Sequence, residues 1–245
     1  MRKLNIYFTA GIPKLEDTAK VAKLIQEAGA DMMEIGIPYS DPVADGNVIQ
    51  NAHALALQNG MNINTLFKVL EDIKESVKIP KILMGYLNSV IQYGFEDFCR
   101  KCKEVGVYGL ILPDLPPIEF ERKYKKIVEK YGLNFTFLVT PETSIERIEY
   151  LDSISSGFLY AVSSSSTTGK VDNNLENNPY LKKLAELKLK NPIFVGFGIK
   201  NKADFSNATK HTQGAIIGTS FVKILLENST NWEEKAESFI KSIRE

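Results

Sequence analysis

Asp31-Met32-Met33-Glu34-Ile35-Gly36-Ile37, followed at once by Pro38-Tyr39-Ser40-Asp41-Pro42-Val43-Ala44-Asp45-Gly46, is the most informative stretch of this 245-residue chain. Met32, Met33, Ile35 and Ile37 make the run apolar on both parities, as in a strand buried on both faces of a parallel sheet. Glu34 interrupts it. A carboxylate in such a place is costly to ionise, so its pKa rises and it becomes able to exchange a proton near neutral pH. Glu34 shares parity with Met32 and Gly36, and Met33, Ile35 and Ile37 point the other way.

Similar strand-like runs recur outward from this one. They fall at 4–9, 31–37, 81–86, 107–112, 134–139, 157–162, 192–197 and 214–218, eight in all. Amphipathic helical patterns fill most of the gaps: Val21, Leu24, Ile25 and Ala28 after the first run, and Leu66, Phe67, Leu70, Ile73 and Val77 after the second. Phe120, Tyr124, Ile127, Val128 and Tyr131 follow the fourth. Glycines close several helices, at Ala28-Gly29, Val105-Gly106 and Tyr131-Gly132. No linker composition divides residues 1–245, so a single domain is expected. Strand–helix alternation repeated this often predicts an α/β fold, a (β/α)8 TIM barrel, in preference to an open doubly wound sheet. In such a barrel, function sits in the loops after the strands.

Composition narrows the function classes. Lysine plus arginine and aspartate plus glutamate balance at 30 each, so no net charge points to nucleic acid or an anionic membrane. No apolar stretch approaches the roughly 18 residues that span a bilayer, and a cytoplasmic enzyme is the expectation. Cys99 and Cys102 form a CxxC, but they continue the apolar stripe Phe95, Phe98, Val105 of a helix. Without a second Cys or His pair they read as core residues, not as zinc ligands. His53 and His211 are scattered and read as structural or surface residues, which leaves acid–base work to carboxylates.

Three segments carry chemistry. The first is Glu34 with the acidic loop behind it, where Asp41 and Asp45 also suit turns. The second is the pair of glycine segments Val195-Gly196-Phe197-Gly198-Ile199 and Ile217-Gly218-Thr219-Ser220, which end the last two runs. Glycine admits an anion to backbone N–H groups, a helix N-terminus favours it, and these barrel positions commonly hold a substrate phosphate. The third is the polar loop Ser163-Ser164-Ser165-Ser166-Thr167-Thr168-Gly169-Lys170, readable as a surface loop or as a lid that closes through Thr168 and Gly169.

The stretch from Glu34 to Gln50 closely resembles the signature of the tryptophan synthase α-subunit family. Further matches run along the chain: Tyr7-Phe8-Thr9-Ala10-Gly11-Ile12-Pro13, Met84-Gly85-Tyr86-Leu87-Asn88, Leu112-Pro113-Asp114-Leu115-Pro116, Tyr160 to Gly169, and both glycine segments. The resemblance implies a lyase of tryptophan biosynthesis. Such an enzyme cleaves indole-3-glycerol phosphate to indole and glyceraldehyde 3-phosphate by a retro-aldol-like reaction without cofactor or metal. Glu34 would be the catalytic acid/base and Asp45 the carboxylate holding the indole N–H. Tyr160 would stand beside Glu34. Gly169, Gly198, Gly218 and Thr219 would bind phosphate, and Thr168 would engage the Asp45 loop. Phe197 and Tyr7 would flank the indole. The family assembles as an α2β2 heterotetramer with a β subunit that carries pyridoxal phosphate and receives the indole. The Pro38–Asp45 loop and its neighbours would contact that partner.

Two features depart from the family pattern. Members usually carry an N-terminal helix under the barrel, whereas strand-like sequence here starts almost at Met1. Their lid commonly reads Ser-Arg-x-Gly-Val-Thr-Gly, where this chain has Ser163 through Gly169 without the arginine and first glycine. Other phosphate-binding barrels, such as indole-glycerol-phosphate synthase and phosphoribosylanthranilate isomerase, lack the Glu34-to-Asp45 signature. A non-catalytic partner that binds the phosphate ligand and regulates β is the alternative reading, but binding alone would not require both carboxylates.

Overall fold

A computed structural model describes residues 2–162, 178–196, 198–227 and 231–244. Nine strand segments form one parallel sheet: β1 (Lys3–Thr9), β2 (Met32–Gly36), β3 (Lys81–Met84), β4 (Gly109–Ile111), β5 (Asn134–Phe135), β6 (Leu138–Val139), β7 (Leu159–Val162), β8 (Ile193–Gly196) and β9 (Gly214–Ile217). Their spatial order is β5-β4-β3-β2-β1-β9-β8-β7-β6. The two ends of that order, β5 and β6, are halves of the single predicted run 134–139. Thr136 N–H donates to Leu110 on one side, and Tyr160 N–H donates to Phe137 on the other. The sheet therefore closes on itself, and the predicted (β/α)8 barrel is the observed one.

The helices that wrap it are α1 (Asp17–Glu27), α2 (Asn47–Gln58), α3 (Ile63–Ile73), α4 (Leu87–Tyr93), α5 (Phe95–Glu104), α6 (Pro117–Glu119), α7 (Lys125–Lys130), α8 (Ile145–Ile154), α9 (Pro179–Glu186), α10 (Lys202–Ala208), α11 (Thr219–Leu226) and α12 (Trp232–Arg244). One wide turn, Phe120–Tyr124, joins α6 to α7. Starts are set by side chains: Asn62 accepts from Thr65 N–H, Ser144 from Arg147 N–H, and Asn201 from Asp204 N–H. Gly29, Gly106 and Gly132 have positive φ just past their helices, as their positions foretold.

The core bears out the parity reading. Every residue of β2 is buried. Register places Asn5 beside Met32 and Tyr7 beside Glu34, so Asn5, Tyr7 and Glu34 share the inner face. Phe120, Phe135 and Phe137 form one aromatic cluster, and Phe158 stacks on Phe194 at 4.6 Å. Cys99 and Cys102 are buried free thiols on α5, consistent with core residues. Burial pushes the Cys99 thiol up to about 12, far from a reactive thiolate.

The chain's ends meet under the barrel. Arg244 of α12 donates to Gly29 and Arg2 carbonyls and pairs with Asp31, which also accepts from Leu4 N–H at 2.7 Å. Arg244→Ala removes the donor shared by the Gly29 and Arg2 carbonyls and leaves Asp31 to Leu4 N–H and Lys3. It is expected to lower stability by about 1 kcal/mol, with activity at 25 °C unchanged; urea unfolding and indole assay together check this.

Candidate active site

A cavity of about 430 Å³ opens at the C-terminal ends of the strands. Its wall takes Tyr7, Glu34, Met84, Leu138, Tyr160 and Ile216 from the strands, and Asp45, Ile49 and His53 from the β2–α2 segment. Gly198, Lys200, Gly218, Thr219, Ser220 and Lys223 line it as well.

Glu34 is fully buried. Its Oε1 accepts from Asn5 Nδ2 at 2.7 Å, and its Oε2 has no hydrogen-bond partner. Burial raises the pKa to about 8, and the Asn5 hydrogen bond opposes that rise without cancelling it. At neutral pH Glu34 is accordingly a neutral acid, able to present a proton to the cavity.

Asp45 reaches the same cavity because the loop after β2 is folded tightly. Val43 N–H donates to Asp41 and Asp45 N–H to Pro42, and the chain then enters α2 at Gly46. Asp45 Oδ2 accepts from the Tyr86 hydroxyl at 2.8 Å, and Tyr86 in turn accepts from Ala44 N–H at 3.1 Å. Tyr86 stacks on Tyr39 with ring centroids 4.9 Å apart. Burial raises the Asp45 pKa, and the Tyr86 hydrogen bond pulls it back. Asp41 plays no part in the cavity wall; it is exposed and accepts from Ser40 in a turn.

Two buried tyrosines, Tyr7 and Tyr160, line the same cavity. Burial raises the pKa of Tyr7 and Tyr160 well above the usual tyrosine value, and the nearby Asp45 and Glu34 carboxyls, once ionised, raise it further. Each occupies space that a glycine leaves open. A Cβ on Gly36 would lie 2.9 Å from Tyr7 Cζ, and one on Gly196 would lie 2.5 Å from Tyr160 Cζ. Gly196 thus makes room for a ring and is absent from the cavity wall, where backbone approach to an anion was expected. Gly196→Ala must displace the Tyr160 ring from its place in the cavity wall. We expect at least about a tenfold loss of turnover with about 1–3 kcal/mol of overpacking, measured by indole assay and thermal melting.

The glycine end has the features of an anion site. Gly198 has φ of +79°, and α11 begins at Thr219, where Gly218, Thr219 and Ser220 line the cavity. Among the described residues, no group of three His, Cys, Asp or Glu side chains gathers as a metal site.

Of the residues singled out from the sequence, Glu34, Asp45, Tyr160, Gly198, Gly218, Thr219 and Tyr7 line this one cavity. Thr168, Gly169 and Phe197, with the rest of the Ser163–Lys170 loop, lie outside the described residues.

A family model described as "Tryptophan synthase alpha chain" matches residues 2–245. The chain belongs to the tryptophan synthase alpha chain family. It is 49% identical over 242 residues to the alpha chain of Christiangramia forsetii, covering 98% of this chain and 93% of that one. To the alpha chain of Flavobacterium johnsoniae it is 50% identical over 243 residues, covering 98% and 94%. Among solved structures, the alpha subunit of Legionella pneumophila superposes with a TM-score of 0.89 at 33% identity, covering 99% of this chain and 91% of that one. The subunit from the hyperthermophile Pyrococcus furiosus gives 0.88 at 30%, covering 100% and 99%.

Against that family background, four residues stand out that the sequence reading gave no site role. Asn5 could have been found from parity, two positions before Tyr7 on the same strand face. Tyr86 lies just past β3, at the N-cap of α4, within a segment already matched to the family. Lys200 and Lys223 follow the two glycine segments. His53 was assigned to structure or surface; it is buried, but on the cavity wall. It stands one turn beyond Ile49 on α2, and only the packed helix shows what that turn faces.

Proposed function

We propose that this chain is the α subunit of tryptophan synthase, cleaving indole-3-glycerol phosphate to indole and glyceraldehyde 3-phosphate, with Glu34 and Asp45 as its catalytic carboxylates. The observation that carries this reading is the Glu34 carboxyl. It is buried, neutral at pH 7, satisfied on one oxygen only, and shares a cavity with a second carboxylate.

The chemistry follows from those states. Glu34 protonates the indole carbon that bears the glycerol chain, and the ring becomes a cation at its nitrogen. Asp45 accepts the indole N–H and stabilises that positive charge. Glu34, now a carboxylate, takes the proton of the adjacent glycerol hydroxyl. The carbon–carbon bond breaks, its electron pair restores the aromatic ring, and the hydroxyl carbon becomes an aldehyde. A pKa near the operating pH suits a group that gives and then takes a proton. Gly198, Gly218 and Thr219 hold the phosphate through backbone donors, and the Lys200 and Lys223 ammonium groups add positive charge at that end. Gly169 keeps its expected role at the phosphate, Thr168 in the lid and Phe197 in the indole slot.

The partner is the β subunit, in an α2β2 assembly in which β alone carries pyridoxal phosphate. Tryptophan synthase from Mycobacterium tuberculosis superposes with a TM-score of 0.85 at 27% identity. Exposed apolar side chains support docking at the active face. Val43, Ile91, Ile118 and Ile145 are 85%, 48%, 63% and 37% exposed. They follow β2, β3, β4 and β6 respectively, so they lie after neighbouring strands. A cytoplasmic setting belongs to this reading; among the described residues no helix is long and apolar enough to cross a membrane.

The test is indole release from indole-3-glycerol phosphate by the purified chain, with and without β. Slow release that rises strongly with β supports both the chemistry and the partnership. No indole in either condition, with the phosphate ligand still bound, would leave a ligand-binding regulator of β.

A further inference from the structure

His53 is 2% exposed, yet only one of its ring nitrogens is used. Nδ1 accepts from the backbone N–H of Tyr39 at 3.0 Å. An accepting Nδ1 carries no proton, so the neutral ring must hold its proton on Nε2. That nitrogen has no hydrogen-bond partner and faces Asp45 Oδ2 across 3.7 Å. The gap exceeds a hydrogen bond by only about 0.5–1 Å, and hydrogen bonds of empty active sites often tighten only around substrate. Burial pushes the imidazole down to about 4, so the contact is a neutral donor facing a carboxylate and not an ion pair.

We propose that His53 is a positioning residue for Asp45, its Nε2–H closing onto Oδ2 when substrate binds. Together with the Tyr86 hydroxyl, which already donates to Oδ2, it fixes one carboxylate oxygen and turns the other towards the indole nitrogen. The backbone of Tyr39 sets the tautomer, so the two ends of the β2–α2 segment are coupled through one ring. The proposal rests on the role of Asp45 given above.

Two measurements test it, one independent of turnover. The chain has only two histidines, so histidine-selective nitrogen NMR, with His211→Gln for assignment, reads His53 alone. The expected result is an Nε2–H tautomer that stays neutral between about pH 5 and 8, with an Nε2 resonance that shifts in Asp45→Asn when the phosphate ligand is bound. An Nδ1–H tautomer, or no response to Asp45→Asn, overturns the proposal even if the chain releases no indole. The second is kinetic. His53→Leu is expected to lower kcat by about tenfold or more, with inorganic phosphate binding and KM nearly unchanged. His53→Gln, which restores an N–H near the Nε2 position, is expected to recover most of it. Unchanged kcat in His53→Leu, or equal losses in both variants tracking a lower Tm, would reduce His53 to a structural residue. Absence of indole from the unaltered chain would count against the lyase reading, and the NMR result would still decide the pairing.

Discussion

Glu34→Gln is expected to lower indole release by about 10³-fold or more, because one side chain supplies both the proton donor and the proton acceptor of the reaction. Glutamine matches the shape of the neutral carboxyl and can keep a hydrogen bond with Asn5, so phosphate-ligand binding and β association should persist. A variant that turns over within tenfold of the parent would remove Glu34 from the mechanism. The parent's pH profile carries the same signature. Glu34 must enter the reaction protonated and its pKa is about 8. Hence kcat/KM should be flat below that value on this limb and fall tenfold per pH unit above it.

The same substitution should make the protein more stable. A glutamate free of the fold titrates near 4.5, and in the fold near 8. The folded state therefore binds the proton more tightly than the unfolded chain. Its contribution is fully present below about 4.5, declines as pH rises, and is lost by the time pH passes through about 8. At pH 7 the loss amounts to about 3 kcal/mol. Glutamine does not titrate, so Glu34→Gln should raise Tm at pH 7–8 relative to the parent while nearly abolishing turnover. A lowered Tm at pH 7, with the fold intact, would mean that the fold does not hold the Glu34 pKa above its free value.

Asp45→Asn should give the second-largest loss, about 10²-fold in kcat, because it removes the negative charge that meets the developing ring cation. Tyr86→Phe alone should cost about tenfold by releasing Oδ2. The double variant should be little worse than Asp45→Asn, since Tyr86 acts through Asp45. Fully additive losses would instead place Tyr86 on the substrate. A salt titration of KM offers a milder check on the glycine end: Lys223→Ala should raise KM with kcat unchanged.

Much of this was legible before any packing was known. Glu34 betrayed itself because a charge among Met32, Met33 and Ile35 has no ordinary structural use. Glycines at the ends of the last two strands fell where a barrel holds phosphate. Other roles were hidden. Gly196 looked like a phosphate glycine, but its missing Cβ serves the Tyr160 ring, a contact between neighbouring strands β7 and β8. His53 looked like an isolated histidine because its partners, Tyr39 and Asp45, lie on the preceding loop at spacings that carry no periodic signal.

By itself, then, the sequence determined the local and periodic properties: eight strands, the helices between them, the parity that turns Glu34 inward, and the turn chemistry of the Asp45 loop. These follow from side-chain volume, backbone freedom and hydrophobic alternation within a few residues. Only the tertiary structure decided which atoms are left unpaired and which groups shift their proton affinity. Closure of β5 and β6 onto their neighbours, Asn5 beside Glu34, and the His53–Asp45–Tyr86 cluster all join residues distant in the chain or on different elements. Burial and hydrogen bonding act through space, and proton affinity follows from them.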